Sequence, residues 1–248
     1  MKTLAYFGCL GLVLGLAAPG KAGAQVRADS STSVRAIAAA RQVYAGAVQP
    51  ESVLFNGSEY VDYSKPGSIG HQFFLDANPQ MGTIVYRQGS FQDVLLRYDL
   101  LLDQVVMTYP GQTAVVTLVP DFISSFTLGS HQFARIRADS TTSRIMPTGF
   151  YEVLLPGPVS LLARHTKRVE QTYVQQNLRF EYRQADQLLV RTASGAAEVS
   201  SLKDMLALLP AHKAEAQRYA RQHKLRFRAA QREASALEVL RYYNTLPQ

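Results

Sequence analysis

Three spacings of hydrophobic residues follow one another along the chain, and each predicts a different kind of structure. Near the start, Ala36, Ile37, Ala40, Val43, Tyr44 and Ala47 recur at helical intervals after a cluster of capping residues, Asp29-Ser30-Ser31-Thr32-Ser33. Gln49-Pro50 stops the run, so one N-terminal amphipathic helix is expected there. From Val53 to about Val199 the period becomes two, which is the spacing of strands with one face buried. From Ser201 it returns to helical: Leu202, Met205, Leu206 and Leu209 share a face behind a Ser201 cap, and Ala236, Leu237, Leu240, Tyr243 and Leu246 share another.

Turn signals divide the middle region into strands. Asn56-Gly57 predicts a tight hairpin between Val53-Leu54-Phe55 and Glu59 to Tyr63, and Gln88-Gly89 one between Thr83 to Tyr86 and Phe91 to Tyr98. Further strands are expected at Gln104 to Thr108, Thr113 to Val119, Phe122 to Leu128 and Gln132 to Ile136. Phe150 to Leu155 and Val159 to Arg164 should pair around Pro156-Gly157-Pro158. Leu178 to Arg183 and Leu188 to Thr192 should flank a turn at Gln184-Ala185-Asp186-Gln187. Strands so close together, with no helices between them, must be mainly antiparallel neighbours. The expected fold is mainly β (α+β): a long antiparallel, strongly curved meander, as half-barrel, barrel or sandwich. One N-terminal helix and C-terminal helices in residues 201–248 complete it.

The first residues have a separate meaning. Lys2, an uncharged run from Leu4 to Ala18, the Pro19-Gly20 break and Ala22-Gly23-Ala24 read as a signal peptide over residues 1–24. The run is too short to span about 30 Å of hydrocarbon, and no later stretch makes a membrane helix. The expectation is export, to the periplasm, the outer-membrane surface or the exterior, with residues 25–248 forming a single domain. Cys9 is the only cysteine and lies inside that peptide, so the exported part would carry no disulfide and no thiol chemistry.

Charge is unevenly placed. Residues 25–200 hold fifteen basic and fifteen acidic residues, whereas residues 201–248 hold nine basic against four acidic. Within Lys213 to Arg232 stand Lys213, Arg218, Arg221, Lys224, Arg226, Arg228 and Arg232, with Glu215 the only acid between the two ends. They form the candidate binding patch, for an anionic surface such as lipid head groups. The plainer account is a solvated face whose long stems cover apolar surface. Export argues against nucleic acid as partner, leaving an envelope protein, a lipid or another anionic surface.

Catalytic motifs are sparse. The five histidines show no metal spacing, there is no G-x-S-x-G or S-x-x-K motif, and no cofactor fingerprint is present. His71 and His131 each stand in a His-Gln-Phe triplet and would converge if their strands were adjacent. Glu59, Asp62, Asp93, Asp99 and Asp103, on neighbouring hairpins, could supply the two carboxylates of a glycosidase. The bland account makes several of them turn formers. Tyr60, Tyr63, Tyr86, Tyr98, Tyr151, Tyr173 and Tyr182 fit cross-strand packing.

Leu54-Phe55-Asn56-Gly57-Ser58-Glu59-Tyr60, Gly70-His71-Gln72-Phe73-Phe74, Tyr98-Asp99 with Asp103, Gly149 to Leu155 and Arg241-Tyr242-Tyr243-Asn244 together resemble a family of exported bacterial proteins without assigned activity. The resemblance implies export and no particular chemistry. The expected function is a non-enzymatic binding or accessory role in the cell envelope, with a partner protein or an apolar ligand held by the curved sheet. A hydrolase using the early carboxylates is the alternative.

Overall fold

A computed structural model describes residues 53–109, 111, 114–138, 144–174, 177–209 and 211–247, together with residues 36, 37, 39, 40 and 43. The chain divides into residues 1–44 and 45–248, and the fold below is that of the second unit. The expected signal peptide lies outside the described residues. So does most of the expected N-terminal helix, of which Ala36, Ile37, Ala39, Ala40 and Val43 are helical and exposed.

The alternating region folds into one antiparallel sheet of eleven strands. They are β1 (Ser58–Glu59), β2 (Gln80–Tyr86), β3 (Gly89–Asp99), β4 (Gln104–Thr108), β5 (Val115–Thr117) and β6 (Ile123–Leu128). There follow β7 (His131–Ile136), β8 (Gly149–Leu155), β9 (Ser160–Val174), β10 (Asn177–Thr192) and β11 (Gly195–Glu198). The spatial order is β1-β5-β4-β3-β2-β6-β7-β8-β9-β10-β11. This corrects the expected meander and its strong curvature. After β5 the chain returns to the far side of β2, and the sheet is open, with β1 and β11 as its two edges rather than a closing pair.

Two local expectations also change. Val53–Asn56 is a 3-10 turn rather than a strand, and β1 pairs with β5 instead of closing a hairpin. Gly57 is needed for close approach: a Cβ there would lie 1.8 Å from the Thr117 carbonyl oxygen. By contrast the β2–β3 hairpin forms where expected, but its turn is Arg87-Gln88 rather than Gln88-Gly89, with both turn residues in the left-handed region at φ 46° and 69°. Two positive φ values match the twist of the flanking strands. Gly82 on β2 repeats the Gly57 case in a central strand, because its Cβ would meet the Thr127 oxygen at 2.1 Å. Gly82→Ala is expected to lose about 1–3 kcal/mol by overpacking, seen as a lowered thermal midpoint; an unchanged midpoint would contradict that approach.

Pairing register sorts the side chains onto two faces. Ile84, Phe126, Phe133, Glu152, Ala163 and Leu188 stand in one row across six strands. On this face lies an aromatic cluster that includes Tyr86, Tyr98, Phe126, Phe133 and Phe150, closed by Leu54, Phe74 and Leu100 from the loops. Phe126 and Phe133 stack at 4.7 Å, and Tyr98 meets both edge-on. Further along the same face, Val159, Leu161, Leu188 and Val190 pack beneath three helices: α1 (Leu202–Leu208), α2 (Lys213–Gln222) and α3 (Arg232–Tyr243). Ser201 caps α1 by accepting the Asp204 N–H at 3.2 Å, as its sequence indicates. No helix among the described residues is long and apolar enough to cross a membrane.

Candidate functional site

Between the aromatic and the helix-covered clusters runs a seam of ionisable groups, one from each of four consecutive strands. Glu152 occupies the row position opposite Phe133 and Ala163, where an apolar side chain would be expected. Its two oxygens reach diagonally to either side: Oε1 lies 2.6 Å from His131 Nδ1 on β7, and Oε2 lies 2.7 Å from His165 Nε2 on β9. His165 Nδ1 lies 2.8 Å from Asp186 Oδ1 on β10. The Gln184 amide donates to both Asp186 oxygens. Phe74 covers the seam, with its ring 5.1 Å from His131 and 5.0 Å from His165.

Geometry dictates the protonation of His165. Both of its ring nitrogens face carboxylate oxygens, and only an imidazolium has an N–H on each nitrogen. The ring is 8% exposed, so burial alone would push its pKa down; bonds and charge from Asp186 and Glu152 override burial and raise it to about 9. Glu152, 7% exposed, is itself desolvated, yet the two histidines hold its carboxyl below the usual range. Asp186, half exposed, is likewise lowered against partial desolvation, by His165, Gln184 and Lys167. Glu233, an exposed residue in the first turn of α3, is desolvated enough and near enough to Glu152 that its carboxyl is held above the usual range.

A second buried carboxylate anchors the loop in front of β2. Asp99, fully buried, accepts from Tyr60 Oη at 2.9 Å, Tyr63 Oη at 2.5 Å, and the Leu101 and Leu102 N–H groups at 2.9 and 3.1 Å. Gln72 donates to Tyr60 Oη and to Asp62. Lys167 donates to the His71 and Phe73 carbonyls at 2.8 and 2.6 Å, tying β9 to the same loop.

The other early carboxylates have separate duties. Asp62 accepts the Ser64 N–H in a local turn, and Asp103 accepts from Tyr98 Oη at 2.6 Å. Glu59 is exposed on the two-residue edge strand, and Asp93 is exposed at an irregularity in β2–β3 pairing with φ 55°. The two His-Gln-Phe triplets part company. His71 Nδ1 accepts the Phe73 N–H, whereas His131 joins the seam. Sequence reasoning named His131 but missed its partners. A glutamate amid Phe150-Tyr151-Glu152-Val153-Leu154-Leu155 was the available signal, since a core-facing charge demands a partner.

The basic residues lie on α2, along the link to α3 and at the first residue of α3. Lys213, Arg218 and Arg221 are exposed on α2, and Lys224, Arg226 and Arg228 are exposed along the link to α3. Arg232, the first residue of α3, is half-buried. Leu225 and Phe227 alternate with these cations and pack into the helix-covered cluster. Two bonds fix the link: Leu225 N–H donates to the Ala220 carbonyl, and Ser235 Oγ donates to the Arg226 carbonyl. Fold and site together define an open antiparallel sheet with a helical layer on one face and a His-Glu-His-Asp seam whose central pair, Glu152 and His165, is buried. Comparison with family models, with curated proteins and with solved structures finds no match.

Proposed function

We propose that this chain is an exported envelope protein that works by binding, and that its basic C-terminal end meets an anionic surface. The observation that carries the reading is the link between α2 and α3. Its apolar residues are anchored in the core, so Lys224, Arg226 and Arg228 stand outward on a fixed backbone, beside Arg218 and Arg221 of α2. Cations held this way lose less conformational freedom on contact than mobile side chains do. Export rests on the signal-like first 24 residues and on the family resemblance. An apolar ligand held by the sheet required strong curvature, and the sheet is not strongly curled.

Vesicle co-sedimentation tests the reading. At low salt, binding to vesicles containing anionic lipid should exceed binding to neutral vesicles, and it should fall as salt screens the charges. With about 1 kcal/mol per basic residue near the surface, replacing Lys224, Arg226 and Arg228 by alanine should weaken partitioning by on the order of 100-fold. Equal binding to both vesicle types would end the proposal.

A further inference from the structure

Two strands outrun the sheet that carries them. β8 pairs with β9 only through Leu161, Leu162 and Ala163, and β11 pairs with β10 only from Leu189 to Thr192. Beyond these limits β9 and β10 pair only with each other as strands, from Arg164↔Gln187 outward to Val174↔Asn177. The result is a two-stranded arm, whose outer residues Tyr173 and Leu178 are 74% and 43% exposed. A lone two-stranded ribbon is marginal in water, so the attachment at its base decides whether it stays in place.

Among the described residues that attachment is small. Ile69 bridges β10 through bonds to Phe180 and Tyr182, and Lys167 bonds to Leu100, His71 and Phe73. A further tie is His165, at the arm's base, bonded at once to Glu152 of the body and to Asp186 of the arm.

We propose that the His165 imidazolium is an alkaline-sensitive latch holding the β9–β10 arm against the body of the sheet. A neutral ring keeps a single N–H. One of its two carboxylates would then face a nitrogen lone pair at under 3 Å, which is repulsive where the cationic ring was attractive. The groups facing the ring make this loss matter. Glu152 from β8, Asp186 from β10 and Glu233 from α3 are acidic. Against them stands Lys167, whose charge acts on Asp186, while His131 from β7 is hydrogen-bonded to Glu152. Phe74 and Phe133, the aromatic neighbours, carry no charge. With His165 neutral, two carboxylates face a ring that offers one N–H, the buried Glu152 loses its nearest cation, and the tie at the arm's base fails.

Histidine-selective NMR of the whole chain, with amide hydrogen exchange from pH 7 to pH 10, provides the test. Both His165 nitrogens should keep imidazolium shifts past pH 8, with a midpoint near pH 9. After correction for intrinsic exchange, protection of residues 166–173 and 178–185 should fall at least 10-fold over the same interval. That of β2 and β3 should hold. Glu152→Gln removes one counter-charge without touching Lys167, and should move both midpoints to lower pH together. A His165 midpoint near 6.5, unchanged protection in the arm, or simultaneous loss in arm and body would each overturn the latch. An exchange midpoint that ignores Glu152→Gln would do so too.

Discussion

His165→Ala is expected to lower the unfolding free energy by about 3–5 kcal/mol, the range for breaking a buried ion pair by removing one partner. The cost has little to do with ring volume. Glu152, 7% exposed, would keep only His131, and Asp186 would lose the cation that depresses its pKa. Denaturant midpoints of wild type and variant measure the loss. A double-mutant cycle identifies its origin: adding Glu152→Gln to His165→Ala should restore part of the stability, because it removes the stranded charge. Strictly additive effects would show that the seam is packing rather than electrostatics.

The same variant should alter the dependence of stability on pH. The folded-state pKa of His165 lies above its unfolded value of about 6.5. Its contribution is therefore fully present below pH 6.5 and is lost as pH rises through about 9. Glu152 and Asp186 act in the opposite direction, since their folded values are depressed: their contribution is lost as acid protonates them. The seam thus supports the fold best between the carboxylate range and pH 6.5. In His165→Ala the decline on the alkaline side should flatten.

Asp99→Ala is the second large effect, expected at about 3 kcal/mol or more. Four donors converge on this carboxylate, and each buried donor left unpaired costs about 1–3 kcal/mol. Two are backbone N–H groups in the β3–β4 turn, and two are tyrosine hydroxyls that hold the 60–63 segment. Asp99→Asn should fall between, because its single carbonyl oxygen still accepts the turn bonds while the amide cannot accept from both tyrosines. Alkaline spectrophotometric titration gives an independent readout. Burial, together with Asp99, holds both Tyr60 and Tyr63 well above the ordinary tyrosine value. In Asp99→Ala both should ionise nearer pH 10, and an unchanged profile would contradict the network.

Much of the scaffold was legible because its causes are local. Alternation placed β4, β6, β7 and β8 within about a residue of their observed bounds, and the Ser201 cap and the two C-terminal helices with apolar stripes, α1 and α3, formed where spacing put them. Gln184-Ala185-Asp186-Gln187 was misread as a turn because three of its four residues are polar and the fourth is only alanine. It is continuous strand, since the arm there has solvent on both sides and needs no apolar alternation. Asn56-Gly57 misled in the opposite way: its glycine serves a contact with Thr117, sixty residues distant, rather than a hairpin.

What the sequence determined by itself is the class of structure, the helical close, and a neutral β-rich body with a basic end. Those follow from period, caps and charge, each a property of neighbouring residues. What only the tertiary structure decided is which strands lie side by side. The return of β6 to β2 and the one-sided extension of β9 and β10 set the register that puts His131, Glu152 and His165 on one diagonal, with Asp186 directly opposite His165. A one-residue shift in any of those pairings would turn a carboxylate to the other face and dissolve the seam.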